Sequence, residues 1–245
     1  MSEQGWFALS GAIPALVALA YVDWLDRKRP EPRWTLRLMV LAGMVAVVPV
    51  IVIELWLGRF APPPDTWRDV FYQSFVVAAF TEECAKAACV WIFVWRRAEF
   101  DERLDGIVYG AHAALGLALI ENVGYLWAVD HADYVSTFIG RAVLTVPGHA
   151  LWGSIMGYFA AARRFDGVGP GLLGGLALAV LMHGLFDVGL FGYPLAEAHG
   201  NEALASGLVL IPLAVIIGNG VWVRAMARRA LLADDREEIL GRFAR

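Results

Sequence analysis

Apolar residues run along this chain in stretches longer than the two-faced pattern of a soluble helix allows. Seven stretches stand out, near residues 5–22, 35–57, 70–95, 105–128, 136–162, 168–190 and 204–224. Each is close to the ~20 residues that a helix needs to cross a bilayer. Charges, prolines and glycines collect in the separators DWLDRKRPEPR, GRFAPPPDTWRD, RRAEFDER, VDHADY, RRFDGVG and YPLAEAHGNE. The pattern predicts an all-α, polytopic membrane helix bundle of about seven transmembrane helices, built as a single integral membrane domain over 1–245.

Lysine and arginine alternate from separator to separator. The first holds Arg27, Lys28, Arg29, Arg33 and Arg37, the third Arg96, Arg97 and Arg103, and the fifth Arg163 and Arg164. After the last span come Arg224, Arg228, Arg229, Arg236, Arg242 and Arg245. The N-terminal segment and the sixth separator hold none, the second has Arg59 and Arg68, and the fourth has Arg141 alone. Basic residues favour the cytoplasmic side, so the N-terminus is expected outside and the C-terminus in the cytoplasm. The N-terminal run lacks a basic lead and follows Glu3, which reads as a retained helix and not a cleaved signal. The closing ADDREEILGRFAR reads as a short amphipathic helix or a frayed tail.

Composition agrees, with 59% hydrophobic residues, 18% charged and a mean hydropathy of +0.57. The net charge of −4 adds little, because placement matters more than the sum. No basic, aromatic-interleaved patch suits nucleic acid, so none is expected as a partner. Cys84 and Cys89 lie five apart on one helix, point in different directions and make no disulfide framework.

The unusual residues are the ionisable ones inside the apolar stretches, where a charge at the bilayer centre costs about 2.5–3.5 kcal/mol on insertion scales. The third stretch contains FTEECAKAACVW, with Glu82, Glu83 and Lys86. The fourth adds Glu121 and Asn122, the fifth His149 and Trp152, and the sixth His183 and Asp187. Counting ~1.5 Å per residue along antiparallel neighbours puts all of them between the midplane and the outer third. Each also continues a stripe of small residues at helical spacing: Gly153, Gly157 and Ala161 after His149; Leu117, Ala113, Gly110 and Gly106 before Glu121; Ala179, Gly175 and Gly171 before His183. Such stripes let membrane helices approach closely, which places these side chains inside the bundle, in one wet pocket enclosed by the third to sixth spans.

One lysine does not neutralise Glu82, Glu83, Glu121 and Asp187, so some carboxyls hold protons or a cation binds. Either outcome suits hydrolysis, by a general base or by a metal-activated water. His149 and His183, together with carboxylates, are ligand types that zinc accepts. No Gly-x-Ser-x-Gly elbow is present, Ser154 has no suitably spaced histidine, and Cys84 beside Glu83 is the remaining candidate nucleophile. Water activated by glutamate fits better.

Glu82-Glu83-x-x-Lys86, Glu121-Asn122, His149-x-x-Trp152 and His183-x-x-x-Asp187, in this order over about 80–190, resemble the PrsW family of bacterial intramembrane proteases. That family is distantly similar to the CAAX prenyl endopeptidase and bacteriocin-processing group. The resemblance implies peptide-bond hydrolysis within or beside the bilayer, with a catalytic core of about 70–190. It implies Glu82 or Glu83 as the base, with Lys86, Asn122, His149, His183 and Asp187 assisting. Glu121 stands where the CAAX group tends to have histidine, which favours a metal. His149, His183, Glu83 and Glu121 are then the expected ligands, for Zn2+ or another divalent ion, against a metal-free glutamate mechanism. The implied partners are membrane lipid and a membrane-protein substrate such as a single-span regulator, and the implied location is the bacterial cytoplasmic membrane.

Plainer readings stand beside these. Glu82–Lys86 also suits a structural ion pair, His183–Asp187 an interior hydrogen bond, and Asn122 a helix-to-helix contact. Trp152 reads as cavity wall and His112 as packing. The DHAD loop around His131 reads as solvated, Glu54 as snorkelling, and Asn219 has no evident partner. Buried acids and histidines also describe an ion- or proton-coupled transporter, or a zinc-dependent lipid amide hydrolase. Paired broken helices of the carrier type are not evident.

Overall fold

All seven apolar stretches are helical in the computed structural model, which describes residues 2–243; no strand occurs among them. The first stretch is α1 (Glu3–Ser10) and α2 (Ala12–Asp26), joined at Gly11, and the second is α3 (Arg33–Leu57), followed by a 3-10 turn at Gly58–Phe60. The third comprises α4 (Trp67–Tyr72), a π segment (Gln73–Ala79) and α5 (Phe80–Phe93). The fourth is α6 (Arg103–Ala128). The fifth repeats the pattern of the third, with α7 (Tyr134–Gly140), a π segment (Arg141–Thr145) and α8 (Val146–Phe165). The sixth is α9 (Gly171–Ala198) and the last α10 (Glu202–Phe243). Five helical runs are long and apolar enough to cross a membrane: Gln4–Asp26, Arg33–Phe60, Arg103–Ala128, Gly171–Ala198 and Glu202–Ile239. The chain is therefore an all-α integral membrane protein.

The outer surface is apolar. Leu41, Val45, Val48, Val52 and Leu55 on α3 are exposed, as are Ile217 and Val221 on α10. Lipid supplies no hydrophobic drive between helices, so close packing of small residues must hold the bundle. That packing centres on α6, the most deeply buried long helix. A Cβ added at Gly157 would lie 1.8 Å from the Gly106 carbonyl oxygen, and one at Gly153 would lie 2.4 Å from that of Gly110. The stripes read from the sequence thus bring α6 and α8 into backbone contact. Gly43 lets α3 approach in the same way, its added Cβ falling 2.0 Å from the Ala113 oxygen.

The end of the chain departs from expectation. Residues 233–243, expected as a short amphipathic helix or a frayed tail, are helical and continue α10, which runs unbroken for 42 residues; the last two residues of ADDREEILGRFAR lie outside the described residues. Asp234 explains why. Its Oδ1 accepts from the Arg103 backbone N–H at 3.1 Å, and its Oδ2 accepts from that of Leu104 at 3.2 Å. A carboxylate 130 residues away thus satisfies amides at the start of α6 that have no partner within the helix. The Arg103 side chain pairs with Asp234, Asp166 and Glu237, and Arg29 pairs with Glu102, Asp235 and Glu238.

Candidate active site between four helices

Each of α5, α6, α8 and α9 delivers its polar side chains to one place. On α5, Glu82, Glu83 and Lys86 are buried, Glu83 completely. The Lys86 Nζ donates to Glu83 Oε1 at 2.6 Å and to Glu82 Oε2 at 3.4 Å, and lies 2.8 Å from His149 Nδ1 on α8. The carboxylates three and four residues before a lysine lie on its helix face, so local spacing builds the pair and α8 closes it.

Glu83 is shared with α9. His183 Nδ1 lies 2.9 Å from Glu83 Oε1, and His183 Nε2 lies 3.4 Å from Asp187 Oδ2 one turn on. The Trp152 ring stacks on the His183 imidazole with centroids 4.2 Å apart and planes 14° from parallel. A histidine gripped on one edge and stacked on one face has a fixed ring orientation.

Glu121 supplies the fourth side. Its Oε2 lies 3.1 Å from His149 Nε2, and its Oε1 accepts from Arg141 Nη2 at 2.9 Å. The Arg141 Nε donates to Asn122 Oδ1 at 2.5 Å, and the guanidinium lies 3.9 Å from the Tyr125 ring centroid. A mainly apolar groove of 470 Å³ runs beside this corner, lined by Tyr125, Arg141, Leu144, Phe186 and Leu190 among others.

All eight expected site residues, Glu82, Glu83, Lys86, Glu121, Asn122, His149, His183 and Asp187, therefore meet in one cluster. It leaves Glu83 Oε2, Asn122 Nδ2 and Trp152 Nε1 buried with no hydrogen-bond partner, and Glu121 Oε2 and His149 Nε2 with none besides each other. Buried polar groups rarely go unpaired, and those that do commonly mark a place where an ion, a water or a substrate belongs. Glu82, Glu121 and His149 each offer a ligand atom, all within 4.8 Å of one another. Two carboxylates and an imidazole are donors that zinc accepts with a position left open. Of the ligands expected from sequence, Glu121 and His149 lie in this set, and Glu82 joins them. Glu83 and His183 lie beside it, paired with each other.

A family described as PrsW family intramembrane metalloprotease matches residues 31–218. The chain belongs to the PrsW family. Curated relatives agree in name. It is 32% identical to "Protease PrsW" of Clostridioides difficile (strain 630) over 183 residues, covering 73% of this chain and 76% of the relative. It is 34% identical to "Protease PrsW" of Bacillus subtilis (strain 168) over 183 residues, covering 73% and 79%. It is 30% identical to the Oceanobacillus iheyensis protein of that name over 221 residues, covering 89% and 92%. No solved structure matches. As a PrsW family member the protein is an intramembrane peptidase.

The plainer readings separate at this point. His112 is a packing residue, its Nδ1 2.8 Å from the Val108 carbonyl and its Nε2 3.0 Å from Asp23 Oδ1. His131 packs edge-on against Phe7, and the DHAD loop forms no metal-capable set among the described residues. Glu54 is half-buried and accepts from Thr81 Oγ1 at 3.2 Å, so it turns toward α5 instead of snorkelling. Asn219 is buried with its Nδ2 unpartnered, and both cysteines are free. The residue that sequence reasoning passed over is Arg141, counted with the fourth separator as an orientation marker. It lies eight residues before His149 within the same apolar stretch, a spacing that a regular helix would turn off the shared face.

Proposed function

We propose that this PrsW family member cuts a membrane-protein substrate at a reaction centre held between α5, α6, α8 and α9. We read the bundle as seven spans in a bacterial cytoplasmic membrane, with the N-terminus outside and the C-terminus in the cytoplasm. The catalytic core lies over about 70–190 of a single domain, its acids and histidines between the midplane and the outer face. The observation that carries the reading is the approach of Glu82, Glu121 and His149 ligand atoms to within 4.8 Å of one another, beside a completely buried Glu83.

Glu82, Glu121 and His149 would hold a divalent metal such as Zn2+. When bound, such an ion acidifies a water and polarises the peptide carbonyl. Glu83 is the general base. Its Oε1 is anchored by Lys86 and His183, while Oε2 has no partner and can take a proton. Water oxygen bonds to the carbonyl carbon as its proton passes to Glu83. The carbon–nitrogen bond then breaks and the same proton passes to the leaving amine, restoring the carboxylate. Lys86 holds positive charge beside Glu83 throughout, and His183, fixed by Trp152 and Asp187, keeps the anchored Glu83 oxygen in place.

A metal-free glutamate mechanism is the second reading. Lys86 and Arg141 together bring two cations to four carboxylates, and protons on the other two carboxyls would balance the cluster without an ion. One experiment tests both. Purified protein in liposomes is given a single-span peptide substrate, with metal content and cleavage measured together. Stoichiometric metal and cleavage that a chelator abolishes support the metal site. Full turnover with no metal supports the glutamate mechanism, and cleavage undiminished in both Glu83→Gln and His149→Ala refutes the site.

A further inference from the structure

Arg141 is the one cation of the cluster that lies outside the recognisable sequence motifs, and its contacts are specific. Two nitrogens of one guanidinium reach two adjacent residues of α6, Nη2 to Glu121 Oε1 at 2.9 Å and Nε to Asn122 Oδ1 at 2.5 Å. The planar fork fixes direction as well as charge. Tyr125, one turn along α6, closes the remaining face of the guanidinium at 3.9 Å. With Oε1 so held, the other carboxylate oxygen of Glu121 is directed at His149 Nε2, 3.1 Å away.

The backbone makes this possible. Arg141 opens the π segment Arg141–Thr145, and His149 follows eight residues later. In a regular α-helix eight residues turn the side chain about 80° off the starting face. A π turn absorbs about one residue, which returns the offset to about 20°. The widened turn thus puts Arg141 and His149 on the same side of their helix, facing the two ends of the Glu121 carboxylate.

We propose that Arg141 is a positioning residue that orients Glu121 for metal binding. The inference rests on the proposed metal set of Glu82, Glu121 and His149. Partners that hold a ligating carboxylate are commonly worth about 10–100-fold in metal affinity or activity. Arg141 also lines the apolar groove, so direct contact with substrate is the competing role.

The test is Co2+ binding to the purified full chain in detergent, followed by the visible spectrum of the ion, for wild type, Glu121→Gln, Arg141→Gln and Arg141→Lys. Arg141→Gln is expected to weaken binding about 10–100-fold and to alter the spectrum. Arg141→Lys keeps the charge but grips one acceptor, and is expected to fall between. In cleavage assays at saturating metal, KM stays near the wild-type value. Wild-type affinity in Arg141→Gln, with binding lost in Glu121→Gln, overturns the inference and leaves the metal set standing. Binding unchanged in both variants, or absent from the wild type, overturns the metal set and the inference together. An effect confined to KM also overturns it, since that is the mark of substrate contact. Should Arg141→Gln fail to fold, Asn122→Ala removes the second anchor and leaves Arg141 in place. It is expected to weaken Co2+ binding severalfold, and unchanged affinity there overturns the inference.

Discussion

His149 Nε2 and Glu121 Oε2 face each other 3.1 Å apart, and neither has a partner besides the other. The other end of each group is occupied, His149 by Lys86 and Glu121 by Arg141. Both are therefore oriented from behind toward the same point; because the Lys86 ammonium can only donate to Nδ1, an ion bound there would displace the proton on His149 Nε2. Removing either should disable a metal-dependent enzyme. His149→Ala and Glu121→Gln are each expected to lower kcat/KM at least about 100-fold and to abolish stoichiometric zinc, by elemental analysis of folded protein. Zinc retained in both would place the ion elsewhere.

The adjacent glutamates should separate in kinetics. Glu83 is completely buried, with one oxygen anchored and one unpartnered, while Glu82 belongs to the three-ligand set. Glu83→Gln is expected to lower kcat by about 10²–10⁴ with KM and metal content near wild type. Glu82→Gln should lose metal affinity first and recover part of its activity at high metal concentration. Identical behaviour of the two variants in metal titrations would contradict this division.

The contact between α6 and α8 predicts where size is forbidden. Gly157→Val places a Cβ 1.8 Å from the Gly106 carbonyl oxygen, and backbone cannot yield as a flexible side chain does. Overpacking costs about 1–3 kcal/mol where neighbours can adjust, and more is expected here. Gly207→Ala on α10 meets nothing within 4 Å and should leave the protein unchanged or stabilise it, by up to about 1 kcal/mol of helix propensity. Melting of the two variants in detergent checks the contrast, and equal melting temperatures would refute the packing.

At the other end of α6, Asp234→Ala should cost about 1–2 kcal/mol, because it strips a cap from a helix start and exposes its amides to a partly dry interface. Glu238→Gln should cost under about 1 kcal/mol, since its carboxylate is 47% exposed and water competes for the pair. Thermal denaturation of the two variants side by side measures the difference, and an equal or reversed order would contradict the cap.

The helices were legible because runs such as MVLAGMVAVVPVIVIELWLG admit little else, and depth counting along antiparallel spans sufficed to gather Glu83, Glu121, His149 and His183. What stayed hidden depended on changes in helical phase and on distant contacts. A π segment has no compositional mark in QSFVVAA or RAVLT, yet it sets which face Arg141 presents. The same arginine was read as a charge that orients loops, a use in which its partners play no part. The division between Glu82 and Glu83 depends on which neighbour meets which oxygen, which spacing along one helix does not determine. That residues 233–243 extend α10 instead of fraying was hidden because the carboxyl-to-amide contact that holds them spans 130 residues.

That contact makes α6 a lever. Counting ~1.5 Å per residue, roughly 27 Å of unbroken rod separates the amides gripped by Asp234 from Glu121 at the reaction centre. A fusion partner, a truncation or a bound protein that pulls α10 away at residue 234 would let the near end of that rod shift. The far end would carry the displacement to Glu121, with no substitution among the residues that do the chemistry.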